Sequence, residues 1–179
     1  MSTLELKELS HPAGEVIKIA AGKTLDLKTQ GSVTMPSGSV LQVVQTTSTT
    51  ETNTSATQTW VDVAATATIT PTSAASKILV LHSAGGMVEA QNVSISFQLL
   101  RGSTAVMVLD RYGYSSSTSW LPIPYSVNYV DSPNTTSATT YKFQVRISAA
   151  GAIRHNSTSA GTNVTPIASS TVILMEIQG

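Results

Sequence analysis

Between Asp131 and Ser148 the sequence DSPNTTSATTYKFQVRIS leaves little conformational choice. Tyr141, Phe143, Val145 and Ile147 alternate with Lys142, Gln144, Arg146 and Ser148. A two-residue period puts the apolar set on one face of an extended segment and the polar set on the other, which predicts a half-buried strand. The preceding SPNTTSATT is small and polar and predicts a turn region that adds nothing to a core. The C-terminal stretch STVILMEIQG, Ser170–Gly179, is different. Val172 and Leu174 fall on one face, Ile173, Met175 and Ile177 on the other, and no wet side remains. A strand apolar on both faces is central in a sandwich or covered by another subunit.

The same reading extends over most of the chain. Val40–Val44 leads into a polar low-complexity run, Gln45–Thr59, expected as a solvated loop or an exposed strand edge. Alternation restarts at Trp60 and continues to Ile69. Pro71–Ser76 is a turn, and Lys77–His82 is a buried strand that Gly85-Gly86 is expected to break. Val93–Leu99 alternates up to a turn at Arg101-Gly102, Ala105–Asp110 forms another strand, and Ile123–Val130 another. Tyr112–Trp120 is expected as a loop. No segment shows a capped 3.6-residue apolar period. Short strands separated by polar turns predict an all-β sandwich or barrel.

Residues 1–44 differ from 45–179. Eight of the twenty charged residues lie in the first 28 positions. The aliphatic pairs Ile17/Ile19, Leu25/Leu27, Val33/Met35 and Leu41/Val43 recur every eight residues, with Gly14, Gly22, Gly31 and Gly38 between them. Two aliphatic residues per unit cannot make a core within one chain, whereas units stacked from several chains can. Residues 1–44 are therefore expected to form an anchor arm and β-stem, and the molecule to be a homotrimer. The alternative is a meander packed on the rest of the chain.

Composition narrows the function classes. At 179 residues, with 41% hydrophobic and 11% charged residues and zero formal net charge, the chain is expected to fold. No Lys/Arg cluster is present to neutralise phosphates, which argues against nucleic-acid binding. Cysteine is absent, so disulfides contribute nothing. The opening MSTLELKELSHPAGE lacks the apolar run of a signal peptide, and no run approaches the ~18 apolar residues of a membrane span.

Catalytic motifs are likewise missing. Gly22-Lys23-Thr24 imitates the end of a phosphate-binding loop, but the glycine required five positions earlier is Ile17, so a turn is expected. His11, His82 and His155 are scattered without metal-ligand spacing, and His82 is expected to be a packed histidine near a strand end. Asp110 and Asp131 could pair as glycosidase carboxylates, but both sit where turn chemistry favours Asp. No enzymatic activity, metal or cofactor is expected. Five N-x-S/T triplets, at Asn53, Asn92, Asn134, Asn156 and Asn163, are what so Ser/Thr-rich a chain produces by chance. One binding feature stands out: Tyr112, Tyr114, Trp120 and Tyr125 place four of the nine aromatics within fourteen residues. Aromatic faces stack on sugars and anchor protein contacts; packing in the core or between subunits is the equal alternative.

The pattern YxDSPxTTSATTYKxQ, followed by STxxLMEI, resembles the C-terminal head domain of bacteriophage virion proteins, notably marine and cyanobacterial phage fibres. The resemblance covers roughly Val44–Gly179. It implies a jelly-roll head of the C1q/TNF-like type, trimeric, in a protein located in the virion and assembled in the host cytoplasm. Its expected partners are other virion proteins, of tail or capsid, and a host surface glycan or protein. On this reading Tyr112, Tyr114 and Trp120 contact the host surface, and Leu4, Leu6, Ile17, Ile19, Leu25 and Leu27 serve virion attachment and the stem. The expected function is a short trimeric fibre; the alternative is a capsid-bound head fibre or decoration protein stabilising the shell.

Overall fold

The computed structural model describes residues 21–22, 33, 35–89, 91–116, 121–156 and 169–179. The expectations for Leu4, Leu6, Ile17, Ile19, Leu25, Leu27 and Trp120 lie outside the described residues. Gly22 is described, at φ 73° in a turn, while Lys23 and Thr24 lie outside the described residues. All strands among the described residues belong to one compact unit, Met35–Gly179. They are β1 (Val40–Ser48), β2 (Thr52–Thr54), β3 (Val61–Ile69), β4 (Lys77–Glu89), β5 (Val93–Arg101), β6 (Thr104–Ser115), β7 (Leu121–Asp131), β8 (Thr139–Ile147), β9 (Ala152–His155) and β10 (Ser170–Ile177). No helix occurs among the described residues.

The strands form two antiparallel sheets. In the first, β7 lies along one edge of β4, from Ile78 to Val88. On the other edge of β4, β10 pairs with Lys77–Ser83 and β9 with Gly86–Glu89. Outside these, β1 pairs with β10 and β2 with β9. Thus β1/β2 and β9/β10 each act as one interrupted strand. The second sheet runs β3-β8-β5-β6. With each interrupted pair counted as one strand, strands one, eight, three and six face strands two, seven, four and five. That order is a jelly-roll sandwich.

Between the sheets lies the core that the alternation predicted. Tyr141, Phe143, Val145 and Ile147 on β8 are buried, and so are Val172 and Leu174 on β10. They pack with Val63, Ile69, Ile78, Val80, Ile95, Phe97, Leu99 and Val127. β10 is central, between β1 and β4.

The two outer faces are unlike. On the β3-β8-β5-β6 sheet, Lys142 pairs with Asp62 at 2.9 Å and Arg146 with Asp110 at 3.1 Å. Gln144 bridges Asp62 and Gln98, and the Arg146 guanidinium lies 4.6 Å from the centre of the Trp60 ring. On the other sheet, register carries an apolar row across four strands, Val43–Met175–Leu79–Val130. The next row is Gln45–Ile173–Leu81–Asn128, and Ile177 flanks the first. Val43 and Val130 are 56% and 55% exposed. Single exposed apolar residues are ordinary, but a contiguous row is informative.

Three local expectations are corrected. Gly85-Gly86 does not break β4, which continues to Glu89. A Cβ at Gly86 would come within 3.3 Å of the Arg154 carbonyl oxygen, so this glycine serves close approach of neighbouring backbones. His82 is consequently in mid-strand, 1% exposed, rather than near a strand end. Tyr112–Ser115 belongs to β6 and is not loop. In the polar run after Val44 the expectation of a strand edge holds for Gln45–Ser48, which completes the edge strand β1, and β2 follows.

Candidate binding cleft

Among the described residues the outer edges of β6 and β7 are unpaired and lie on the same side of the sandwich, and β6 is irregular there. Phe97 pairs with Leu109 and Ile95 with Gly113, so four steps along β6 answer two along β5. This is a β-bulge, a device that re-aims side chains. Arg111 takes φ 51° within it. Ser96 stitches the bulge: its Oγ accepts from the Arg111 amide at 3.1 Å and donates to Asp110 Oδ1 at 2.7 Å. That hydrogen bond, aided by the Arg146 charge and against some burial, holds the Asp110 carboxyl below its ordinary pKa.

Beyond the bulge, Tyr112 leans over the open side of the sandwich. Its ring meets Phe97 edge-on at 5.6 Å and 78°, and Tyr125 at 6.4 Å and 72°. It is nevertheless 45% exposed. Tyr125 on β7 is buried, stacked on Phe97 at 3.8 Å. Its hydroxyl shares a 3.1 Å hydrogen bond with His82 Nε2, and burial pushes its pKa up. Tyr112, Pro124 and Tyr125 line an open cleft of about 430 Å³ with Ser83, Ala84, Ser126 and Ser169. Among the described residues no charged side chain lines it.

Of the three aromatics expected to contact a host, Tyr112 lines this cleft and Tyr114 does not. Tyr114 is 57% exposed, and its hydroxyl donates to Asn92 Oδ1 at 2.7 Å. Trp120 lies outside the described residues. The bulge that aims Tyr112 left only a weak mark in the sequence, the Asp110-Arg111 pair interrupting an apolar strand.

Behind the cleft sits a feature that spacing did not reveal. His82 and His155, 73 positions apart in sequence, stack with centroids 6.3 Å apart in the core. His82 also stacks on Phe143 at 3.9 Å, and its Nδ1 lies 3.1 Å from the Thr171 carbonyl oxygen. Among the described residues neither ring nitrogen of His155 has a hydrogen-bond partner. Burial lowers both pKa values to about 4, with mutual repulsion adding to the effect on His82.

Asp110 and Asp131 have structural partners. Asp131 is buried at the end of β7, where Arg101 donates to both its oxygens at 3.0 Å and the Tyr141 hydroxyl donates at 2.6 Å. Asp110 lies within β6, on the outer face, and not at a strand-to-turn boundary as expected. Among the described residues, no three of His, Cys, Asp and Glu come together in a metal-holding group. Three of the glycosylation-like asparagines, Asn92, Asn134 and Asn156, adopt positive φ, a conformation Asn tolerates well.

No protein-family profile matches the sequence, and no curated protein matches it. Among solved structures, the chain is similar to "Structure of infectious bursal disease virus Gt strain", at 13% identity over 88% of this chain and 42% of that one, with a TM-score of 0.44. It is also similar to "Crystal structure of infectious bursal disease virus VP2 subviral particle", at 14% identity over 87% and 42%, with a TM-score of 0.39. The chain thus spans about two-fifths of the length of these structures. Likeness at this level defines neither a shared assembly nor a shared ligand.

Proposed function

We propose that this chain is a virion structural protein, a short homotrimeric fibre whose N-terminal arm attaches to the particle and whose jelly-roll head contacts the host surface. The observation that carries the reading is the contrast between the two outer sheet faces. One is satisfied by its own ion pairs and amide bonds. The other presents the row Val43–Met175–Leu79–Val130. Apolar area left by one chain favours assembly with further copies, and closed symmetry lets the same surface be used in each. The phage-head resemblance of the β7–β8 turn region and of β10 supports the virion setting. Exposure of Tyr112 and Tyr114 supports a contact role for the β6 end of the head.

The test is particle adsorption. Tyr112→Ala, Tyr114→Ala and Trp120→Ala together are expected to reduce adsorption of virions to host cells by at least about tenfold, consistent with loss of aromatic anchors. Unchanged adsorption, with the protein located on capsid faces by antibody labelling, would replace the fibre reading with shell decoration. The arm is tested separately: deletion of residues 2–30 is expected to leave a folded head that no longer joins virions.

A further inference from the structure

We infer that the cleft lined by Tyr112 of β6, Pro124–Ser126 of β7, Ser83–Ala84 of β4 and Ser169 binds one neutral pyranose ring, stacked on Tyr112, with the ring's hydroxyls met by Ser83, Ser126 and Ser169. The inference rests on the host-contact reading for its biological use and names the ligand class that this contact would take.

Four features converge on it. Tyr112 is held edge-on by Phe97 and Tyr125 and yet remains 45% exposed. A ring fixed by packing offers its face without a further loss of side-chain freedom on binding. The bulge at Asp110–Tyr112 directs that ring over the open side of the sandwich, against the strand's ordinary alternation. The polar part of the lining consists of serines, and a hydroxyl both donates and accepts, as sugar hydroxyls do. Finally, among the described residues no cation lines the cleft. A carboxylated or phosphorylated sugar calls for the charge-assisted bonds of Arg or Lys, and a neutral ring does not. The volume, about 430 Å³, falls within the range of small-ligand sites. Tyr125 contributes only its ring, because its hydroxyl is engaged by His82.

The experiment uses the ¹⁵N-labelled full chain, titrated with the methyl glycosides of glucose, galactose and N-acetylglucosamine, and in parallel with N-acetylneuraminic acid. At least one neutral glycoside is expected to shift the amide resonances of Ser83, Tyr112 and Ser126, with a dissociation constant of roughly millimolar size for so small a ligand. Tyr112→Ala should weaken it about tenfold, as stacking on one aromatic implies. Val108→Ala, exposed on β6 and outside the cleft lining, should leave it unchanged. Ser126→Trp, which fills the cleft and keeps Tyr112, should abolish it in a protein whose thermal transition is retained. No shift with any neutral glycoside, a stronger response to N-acetylneuraminic acid, or binding indifferent to both Tyr112→Ala and Ser126→Trp would overturn the inference. Loss of host adsorption in Tyr112→Ala without glycoside binding would overturn it too, while leaving the host contact standing. Glycoside binding with adsorption unaffected would support the sugar site and remove the host-contact reading.

Discussion

His155 is buried in the core, where among the described residues neither ring nitrogen is bonded, and its burial shapes how the protein responds to acid. Both buried histidines have folded-state pKa values lowered from 6.5 to about 4. The unfolded chain therefore binds more protons than the folded one between these values. Their contribution is complete above about pH 6.5, falls as pH drops from there towards about 4, and changes no further below. A ring shifted that far contributes about 3 kcal/mol. Urea unfolding followed from pH 7 to pH 4 should show the midpoint declining through this window, and His155→Phe should flatten the decline. A midpoint constant over the range would contradict the burial of the pair. Glu176, fully buried on β10, works in the same sense at lower pH. Burial raises its pKa, but hydrogen bonds from Gln42 and Thr72 hold it below the ordinary value, so its contribution is lost only as pH falls through that lowered value. None of this was legible from spacing. A histidine in an apolar run announces burial, as His82 did, but nothing in AIRHN announces that His155 stacks near it.

At the scale of elements, alternation was the signal that worked. It identified β8 and the inward side of each of its residues, because a sandwich strand with one wet face leaves its period in the sequence. Phe143→Ala should accordingly cost about 3–5 kcal/mol, whereas Lys142→Ala, one residue earlier and facing outward, should stay within roughly 1 kcal/mol. Chemical denaturation of the two variants distinguishes them, and equal costs would mean the register is wrong. Elements without such a period were missed. β2 is Thr-Asn-Thr, and β9 offers Ile153 as its only fully buried aliphatic side chain. Both exist because longer neighbours supply a template. The end of β6 was missed for a different reason: its bulge adds two residues, and across Asp110–Tyr112 the alternation that links Leu109 to Gly113 is broken.

For the whole molecule, the sequence told that β10 is apolar on both sides, but not what meets its outer side. That needed register. Only the pairing of β1, β10, β4 and β7 turns scattered Val43, Met175, Leu79 and Val130 into one row. If the row is covered in a homotrimer, Leu79→Asp with Met175→Asp should convert the assembly to monomers in multi-angle light scattering, with circular dichroism unchanged. A variant still trimeric would move the interface elsewhere. The row also differs from an edge in what it invites. Open sheet edges recruit any strand through bare main-chain groups, and β7 is such an edge. It carries Pro122 and Pro124, two residues apart, opposite Met87 and Gly85 of β4. Proline within a sheet is confined to positions where its missing donor faces the open side. Two successive outward donors are thereby absent beside the cleft, and an incoming strand finds no ladder to join there. Many copies crowded at high local concentration can then meet through side chains while resisting the strand-by-strand accretion that leads to fibrous aggregates.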